Sequence, residues 1–183
     1  MRHTLTTLLV TGLAALTLAA VAVAGNVTAT ATVTGAGALS LTHGASASVS
    51  STLDGTDQVA SYTVPLTLND ARGSGAGWNL TITSTTFSDG SGHSLGTGAS
   101  SVSSVSSACV AGGTCTAPTN AISYPLTVPA AASAPTAVKL FNSAANTGLG
   151  RFTVTPTINV TIPGNAYAGS YSSTVTVAAV SGP

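Results

Sequence analysis

Charged side chains are nearly absent from this chain. Of its 183 residues four are Lys or Arg and four are Asp or Glu, so 4% are charged and the formal net charge is zero. Globular domains carry about 25% charged residues. With so little positive charge to attract phosphate, we expect neither a nucleic-acid partner nor a polybasic membrane patch. Solubility must come from Ser, Thr, Asn and Gly, which suits a protein of an extracellular matrix or wall.

Groups that carry catalysis are also scarce. Only two histidines, His43 and His93, follow residue 24, and both lie in turn-like sequence without an acidic neighbour. No metal-ligand cluster is apparent, and Asp54 and Asp57 flank a glycine in a run that predicts a turn rather than a calcium loop. A carboxylate pair drawn from the scattered Asp residues is the remaining alternative. We therefore expect a protein that is not an enzyme and that has no cofactor and no metal.

The chain has two cysteines, Cys109 and Cys115, both in a segment rich in Gly, Ser and Thr. In an exported protein two neighbouring cysteines predict a disulfide. Closing so small a ring stabilises by about 2 kcal/mol in the chain-entropy model. Such a bond would pin a loop rather than hold the fold together. Half a zinc site is the alternative, and no histidine lies nearby to complete it.

The N-terminus has the three parts of a secretory signal peptide. Met1-Arg2-His3 carries the positive charge, residues 8–23 are mostly apolar, and Ala22-Val23-Ala24 forms a cleavage site. An uncleaved anchor is the alternative, but the apolar stretch is short and rich in alanine. We expect a signal peptide over 1–24 and a mature, exported chain over 25–183 without a membrane span.

The mature chain shows the period-two alternation of β-strands and no helical pattern. This predicts a single all-β domain, a two-sheet antiparallel β-sandwich, with a closed barrel as the alternative. Segment 88–119 is the least patterned, and we expect an irregular excursion there with short strands at most. The expected strands centre on residues 27–33, 39–41, 62–68 with an irregularity at Pro65, 78–82, 122–128, 138–140, 152–162 with an interruption at Pro156, and 171–179.

One segment, 69–82, stands out. Asp70 and Arg72 lie two residues apart and can pair across a tight turn, and glycines then lead to the chain's single tryptophan. In strand geometry Trp78 and Leu80 share one face, and Asn79 lies on the other.

This segment resembles the first motif of the WxL domain family of Gram-positive surface proteins, the triplet here being Trp78-Asn79-Leu80. The family's second motif, Tyr-x-x-Thr-hydrophobic-Thr-Trp, is similar to the run Tyr171-Ser172-Ser173-Thr174-Val175-Thr176-Val177, in which Val177 replaces the final Trp. The resemblance spans most of the mature chain.

The resemblance implies a β-sandwich that is secreted and extracellular, associates non-covalently with the cell wall, and has peptidoglycan as its ligand class. No sortase-type Leu-Pro-x-Thr-Gly motif and no lipidation cysteine occurs in the sequence, so we expect retention by binding. The alternatives are a structural subunit of a surface layer or filament, with other surface proteins as partners, and an adhesin scaffold that displays 88–119. Carried over, the wall-binding residues are Asp70, Arg72, Trp78, Asn79, Leu80, Tyr171, Thr174 and Thr176.

Several of these residues have a structural alternative. A lone tryptophan at strand period is more often part of a core than of a ligand platform, which applies to Trp78 and Leu80. Asp70 and Arg72 can equally form a turn pair without ligand contact. Tyr167 and Tyr171 lie beside turns and fit either role.

Overall fold

The structure, a computed structural model, describes residues 28–183. The expected signal peptide over 1–24 lies outside the described residues. Among these residues no helix occurs that is long and apolar enough to cross a bilayer. The strands of the described part are β1 (Ser40–His43), β2 (Gln58–Thr63), β3 (Leu66–Asp70), β4 (Trp78–Thr85), β5 (Ser100–Cys109), β6 (Leu126–Thr127), β7 (Ala130–Ala131), β8 (Val138–Ser143), β9 (Gly150–Ile162) and β10 (Val175–Ser181).

The long strand β9 organises the first sheet, whose order is β1-β3-β9-β5-β6, with β2 also paired to β9. Along one edge, β9 pairs first with β3 over Gly150–Val154 and then with β2 over Thr157–Ile162. Along its other edge it pairs with β5. The strand expected around 62–68 is therefore two strands that share one partner.

Two prolines fit this pairing. Pro65 separates β2 from β3, at the expected irregularity. The expected interruption of β9 at Pro156 is wrong, because the strand continues through it. The Pro156 carbonyl accepts a hydrogen bond from the Val64 N–H at 3.2 Å. The nitrogen and the carbonyl of a strand residue point to the same edge, so the missing N–H of Pro156 also faces the gap between β2 and β3.

The second sheet has the order β10-β4-β7, with β8 also paired to β4. β4 pairs antiparallel with β10 from Trp78 to Ser84. Its pairing with β8 contains a bulge between Leu80 and Thr81. The short pairing of β4 with β7 is parallel, a departure from the otherwise antiparallel arrangement.

The inward faces of the two sheets form one core, which confirms the all-β sandwich. Alternate residues of the long strands supply it, as period two requires. Each such side chain stabilises the fold by about 1.5–3 kcal/mol when fully buried. The buried cluster consists of Leu66, Leu68, Trp78, Leu80, Ile82, Val102, Val128, Leu140, Phe141, Phe152, Val154 and Ile158.

The strand expected near the N-terminus, around 27–33, is wrong for the described residues. Residues 28–33 are exposed and form no strand, and Val33 is 94% exposed. Their period-two pattern alternates threonine with alanine, and alanine offers little apolar surface to bury.

The expectation of an irregular segment over 88–119 is also corrected. Its middle is β5, a strand of ten residues that pairs with β9 from Ser100 to Cys109. Most of its residues are serine, so the apolar alternation is reduced to Val102 and Val105. Pairing with a neighbouring strand, rather than intrinsic preference, forms this strand. Conversely, the strand expected over 122–128 shrinks to Leu126–Thr127.

Candidate functional site

Asp70 and Arg72 form a bidentate ion pair at the end of β3, which confirms the predicted turn pair. The Arg72 Nε donates to Asp70 Oδ1 and its Nη2 to Oδ2, both at 2.8 Å. The Asp70 carboxylate is fully buried, and the Arg72 side chain is 14% exposed. The guanidinium hydrogen bonds hold the pKa of the Asp70 carboxyl below its ordinary value, against the opposing effect of burial.

The Arg72 guanidinium also joins this turn to the C-terminal strand. Its Nη2 donates to the Gly77 carbonyl at 2.7 Å, and its Nη1 donates to Ser181 Oγ at the end of β10. The side chain thus fixes the glycine run that leads into β4. Little of it remains available to a ligand.

Trp78 is fully buried in the core. Its ring stacks on Phe141, with centroids 5.8 Å apart, and lies at a tilt to Phe152 at 6.3 Å. The indole Nε1 donates to the Gly148 carbonyl at 2.9 Å. Position 148 requires glycine: its φ is +67°, and an added Cβ would overlap Ser143 Oγ and lie 2.5 Å from the indole nitrogen.

The rest of the triplet is also internal. Leu80 points into the core with no exposed surface, while Asn79 lies on the opposite face, as predicted. The Asn79 Nδ2 donates to the Gly182 carbonyl at 2.8 Å, and Asn79 is only 6% exposed. For Trp78 and Leu80 the core alternative therefore describes the structure, because neither side chain has exposed surface. A large apolar side chain at strand period is stabilised most by burial.

The second motif presents a different picture, because part of it is exposed. Thr174 and Thr176 are exposed, and Thr176 pairs with Thr83 on the outer face of the second sheet. Val177, at the place of the family's second tryptophan, pairs with Ile82 and packs against the core. Tyr171 is half-buried, and its hydroxyl donates to the Tyr167 carbonyl at 3.0 Å.

Tyr167 and Tyr171 border a groove of about 630 Å³, which we call the Tyr167 groove. Leu95, Phe87 and residues of β9 contribute apolar side chains, whereas Ser50, Ser51, Thr52 and Ser170 contribute hydroxyls. No charged side chain lines it. The lining consists of Val49, Ser50, Ser51, Thr52, Leu53, Phe87, Leu95, Val160, Ile162, Ala166, Tyr167, Ala168, Gly169, Ser170 and Tyr171.

At this groove His93 stacks on the ring of Tyr167, with centroids 4.0 Å apart and ring planes at 23°. The expectation that His93 has no acidic neighbour is wrong, because Asp89 Oδ2 lies 2.6 Å from its Nδ1. Asp89 Oδ1 also accepts the N–H groups of Ser91, at 2.7 Å, and of His93, at 3.0 Å. The side-chain bond to His93 and these backbone bonds hold the pKa of Asp89 below its ordinary value.

The Asp89–His93 contact had a sequence signal. Asp followed by Gly90 and Gly92 predicts a turn in which the Asp side chain bonds the backbone two residues on, and such a turn brings residue 93 back to the carboxylate. Tyr167 is 74 positions further along the chain, and nothing local indicates that it meets His93.

The run Gly92-His93-Ser94-Leu95-Gly96 has the Gly-x-Ser-x-Gly spacing of a hydrolase nucleophile elbow. An elbow needs a strand, a sharp turn and a helix. Here Ser94 is exposed and forms an isolated bridge with Ser88, and Leu95 is buried. This spacing therefore does not mark an elbow.

Cys109 and Cys115 are joined by a disulfide, as predicted. Cys109 ends β5, and the neighbouring Thr116 forms an isolated bridge with Leu149, just before β9 begins. The bond therefore closes the loop between β5 and this bridge, whose Leu149 directly follows the Gly148 that accepts the Trp78 hydrogen bond.

Fold and site together define a β-sandwich domain whose Trp-x-Leu triplet is internal and whose outer surfaces carry hydroxyl groups. The model of the WxL family, described as a WxL domain for surface cell-wall binding, matches residues 26–177, and the chain belongs to this family. No curated protein and no solved structure matches the chain.

Proposed function

We propose that this chain is a secreted, non-catalytic surface protein that holds non-covalently to peptidoglycan through its WxL domain. The observation that carries the proposal is the family match over 26–177, because the family is a surface cell-wall-binding domain. The family match supports association with the wall. The choice of peptidoglycan as ligand, the export and the lack of catalysis are parts of the proposal.

The exposed residues of the second motif supply contact groups in this proposal. Tyr171, Thr174 and Thr176 offer a half-buried phenol and two exposed hydroxyls. The first motif, by contrast, builds the scaffold. Hydrogen bonds of Asp70, Arg72 and Asn79 connect β3, the start of β4 and the end of β10, while Trp78 and Leu80 lie in the core.

The outer face of the first sheet supports a neutral polymer as ligand. Along β9 the outward positions between Arg151 and the strand end carry hydroxyl or amide groups, and the facing positions of β5 and β2 are serine or threonine except for Val59 and Ala108. Glycan strands present hydroxyl and acetamido groups, which such a surface can hydrogen-bond. The outward residues on β9 are Thr153, Thr155, Thr157, Asn159 and Thr161.

Sedimentation with purified sacculi tests the proposal. We expect the protein to pellet with sacculi, and to do so still at about 1 M salt, where the Debye length is about 3 Å and interactions between exposed charges are screened. No soluble muropeptides should be released during the incubation. Protein that stays in the supernatant at low salt contradicts wall binding, and muropeptide release contradicts the non-catalytic assignment.

A second candidate is a structural subunit of a surface layer or filament. In the described part of the chain, β10 pairs with β4 alone, so its other edge offers backbone groups to a further strand. Light scattering over a concentration series separates the candidates. Reversible growth of particles favours the subunit, and a monomer at every concentration favours the wall-binding module.

A further inference from the structure

We propose that the Tyr167 groove is the subsite that binds the glycan, and that it takes an N-acetylated hexosamine whose ring stacks on Tyr167. The inference rests on the proposed function, since it names the part of the wall polymer that the domain contacts. It also places the contact at a site that neither motif's tryptophan position reaches.

Tyr167 offers an exposed aromatic ring at the edge of the groove. Tyr167 is 66% exposed although His93 stacks on its ring, so one ring face is held and the rest of the side chain is open. Aromatic side chains that border a cavity are typical of the lining of small-ligand sites. Sugar rings present C–H groups on one face, and these pack on an aromatic ring while the hydroxyls remain free for hydrogen bonds.

The Tyr167 ring is held in place before a ligand arrives. Asp89 accepts from both the backbone and the side chain of His93, which fixes the imidazole against Tyr167. On the other side, the Tyr171 hydroxyl donates to the Tyr167 backbone carbonyl. Because both the ring and its backbone are held, less side-chain entropy is lost when a ligand binds.

The size and lining of the Tyr167 groove suit a small ligand. Binding sites for small ligands measure about 300–1,000 Å³ and combine an apolar surface with a few polar groups. The groove, at about 630 Å³, has this composition: Phe87, Leu95 and Ile162 are apolar, and Ser51 and Thr52 carry hydroxyls. The apolar part suits the methyl of an acetamido group, which a plain hexose lacks.

The absence of charge from the lining selects against other occupants. The Asp89 carboxylate already accepts hydrogen bonds from Ser91 and His93, and the lining residues carry no charge. An anionic polymer or a charged peptide would gain no ionic partner there. A neutral acetylated sugar gains stacking and hydrogen bonds without losing the hydration of a charge.

Calorimetric titration of the purified protein with a soluble trimer of N-acetylglucosamine tests the inference, with a glucose trimer as the matched probe. We expect the acetylated trimer to bind at least tenfold more tightly. Tyr167→Ala should weaken binding at least fivefold, and Tyr167→Phe should stay within twofold of the wild type. Val180→Ala is the control, because Val180 is an exposed apolar residue of β10 outside the groove, and this variant should bind like the wild type.

Three results overturn the inference: no binding of the acetylated trimer, equal binding of both trimers, or unchanged binding by a folded Tyr167→Ala. Sacculus sedimentation keeps this failure apart from that of the proposed function. If the wild-type protein pellets with sacculi but does not bind the trimer, the groove proposal is wrong and the wall association stands. If the wild-type protein binds the trimer but not sacculi, the groove stands as an acetylated-sugar site and the proposed wall association is wrong.

Discussion

The indole nitrogen of Trp78, the first residue of β4, donates a 2.9 Å hydrogen bond to the carbonyl of Gly148. Gly148 lies 70 positions further along the chain. The contact joins the start of β4 to the turn between β8 and β9. Ser143 and Thr147 brace the same turn through hydroxyls 2.7 Å apart. The Trp-x-Leu triplet therefore closes one end of the sandwich, and its hydrogen bond aligns the two sheets there.

Gly148→Ala tests this closure. The new methyl group would overlap Ser143 Oγ and approach the indole nitrogen, at a φ of +67° that alanine adopts only with strain. The left-handed conformation and the overpacking together should lower the free energy of unfolding by at least about 2 kcal/mol. Urea denaturation measures the difference.

Gly96→Ala is the matched control. An added Cβ at Gly96 would meet nothing within 4 Å, and its φ lies outside the left-handed region. Its free energy of unfolding should stay within about 0.5 kcal/mol of the wild type or rise slightly. Equal stability of the two variants would contradict the packing described at Gly148.

Asp70→Asn should destabilise the domain at neutral pH. The amide cannot accept both Arg72 bonds as a carboxylate does, and the guanidinium then keeps an unsatisfied donor in a nearly buried place. We expect a loss of about 2 kcal/mol at pH 7. Thermal unfolding followed by circular dichroism measures it, and an unchanged midpoint would show that the ion pair is dispensable.

The same carboxylate predicts how stability depends on pH. Its folded-state pKa is lowered from the ordinary value of 3.8, so its contribution is complete above that value and is lost as pH falls through the folded-state pKa. Stability of the wild type should therefore fall below about pH 4. The fall should be shallower in Asp70→Asn but not absent, because the pKa values of Asp54 and Asp89 are lowered as well. Parallel pH curves for the two proteins would contradict this assignment.

Replacing both cysteines tests the role of the disulfide. Cys109→Ser combined with Cys115→Ser should cost about 2 kcal/mol, the chain-entropy value for so short a ring. Binding to sacculi should not change, because the bond closes a loop that contains neither Tyr171 nor the Tyr167 groove. A double variant that folds but no longer pellets with sacculi would place that loop in the wall contact.

The sequence predicts this fold well where a strand has one apolar face. Leu66, Leu68, Trp78 and Leu80 alternate clearly, and all are buried as their period requires. The prediction fails for β5, because serine occupies most of its positions and its pairing with β9 and β6 makes it a strand. It fails in the opposite sense over 28–33, where alternation is present without apolar bulk.

For the candidate site, sequence could predict only the local part. Asp70 and Arg72 are two residues apart, so a turn brings them together, and the pairing follows from spacing. The Tyr167 groove instead depends on segments near positions 50, 90 and 168, which the topology brings to one place. The stacking of His93 on Tyr167 therefore becomes visible only in three dimensions.

The central claim is that the Trp-x-Leu triplet builds the domain while exposed residues hold the wall. Trp78→Phe tests it most directly, because phenylalanine keeps an aromatic ring in the core but leaves the Gly148 carbonyl without its donor. The free energy of unfolding should fall by about 1–3 kcal/mol. The affinity of the folded variant for sacculi, measured by sedimentation, should stay within twofold of the wild type. A fully folded Trp78→Phe that binds sacculi tenfold more weakly would contradict the claim and make the tryptophan part of the wall-binding site.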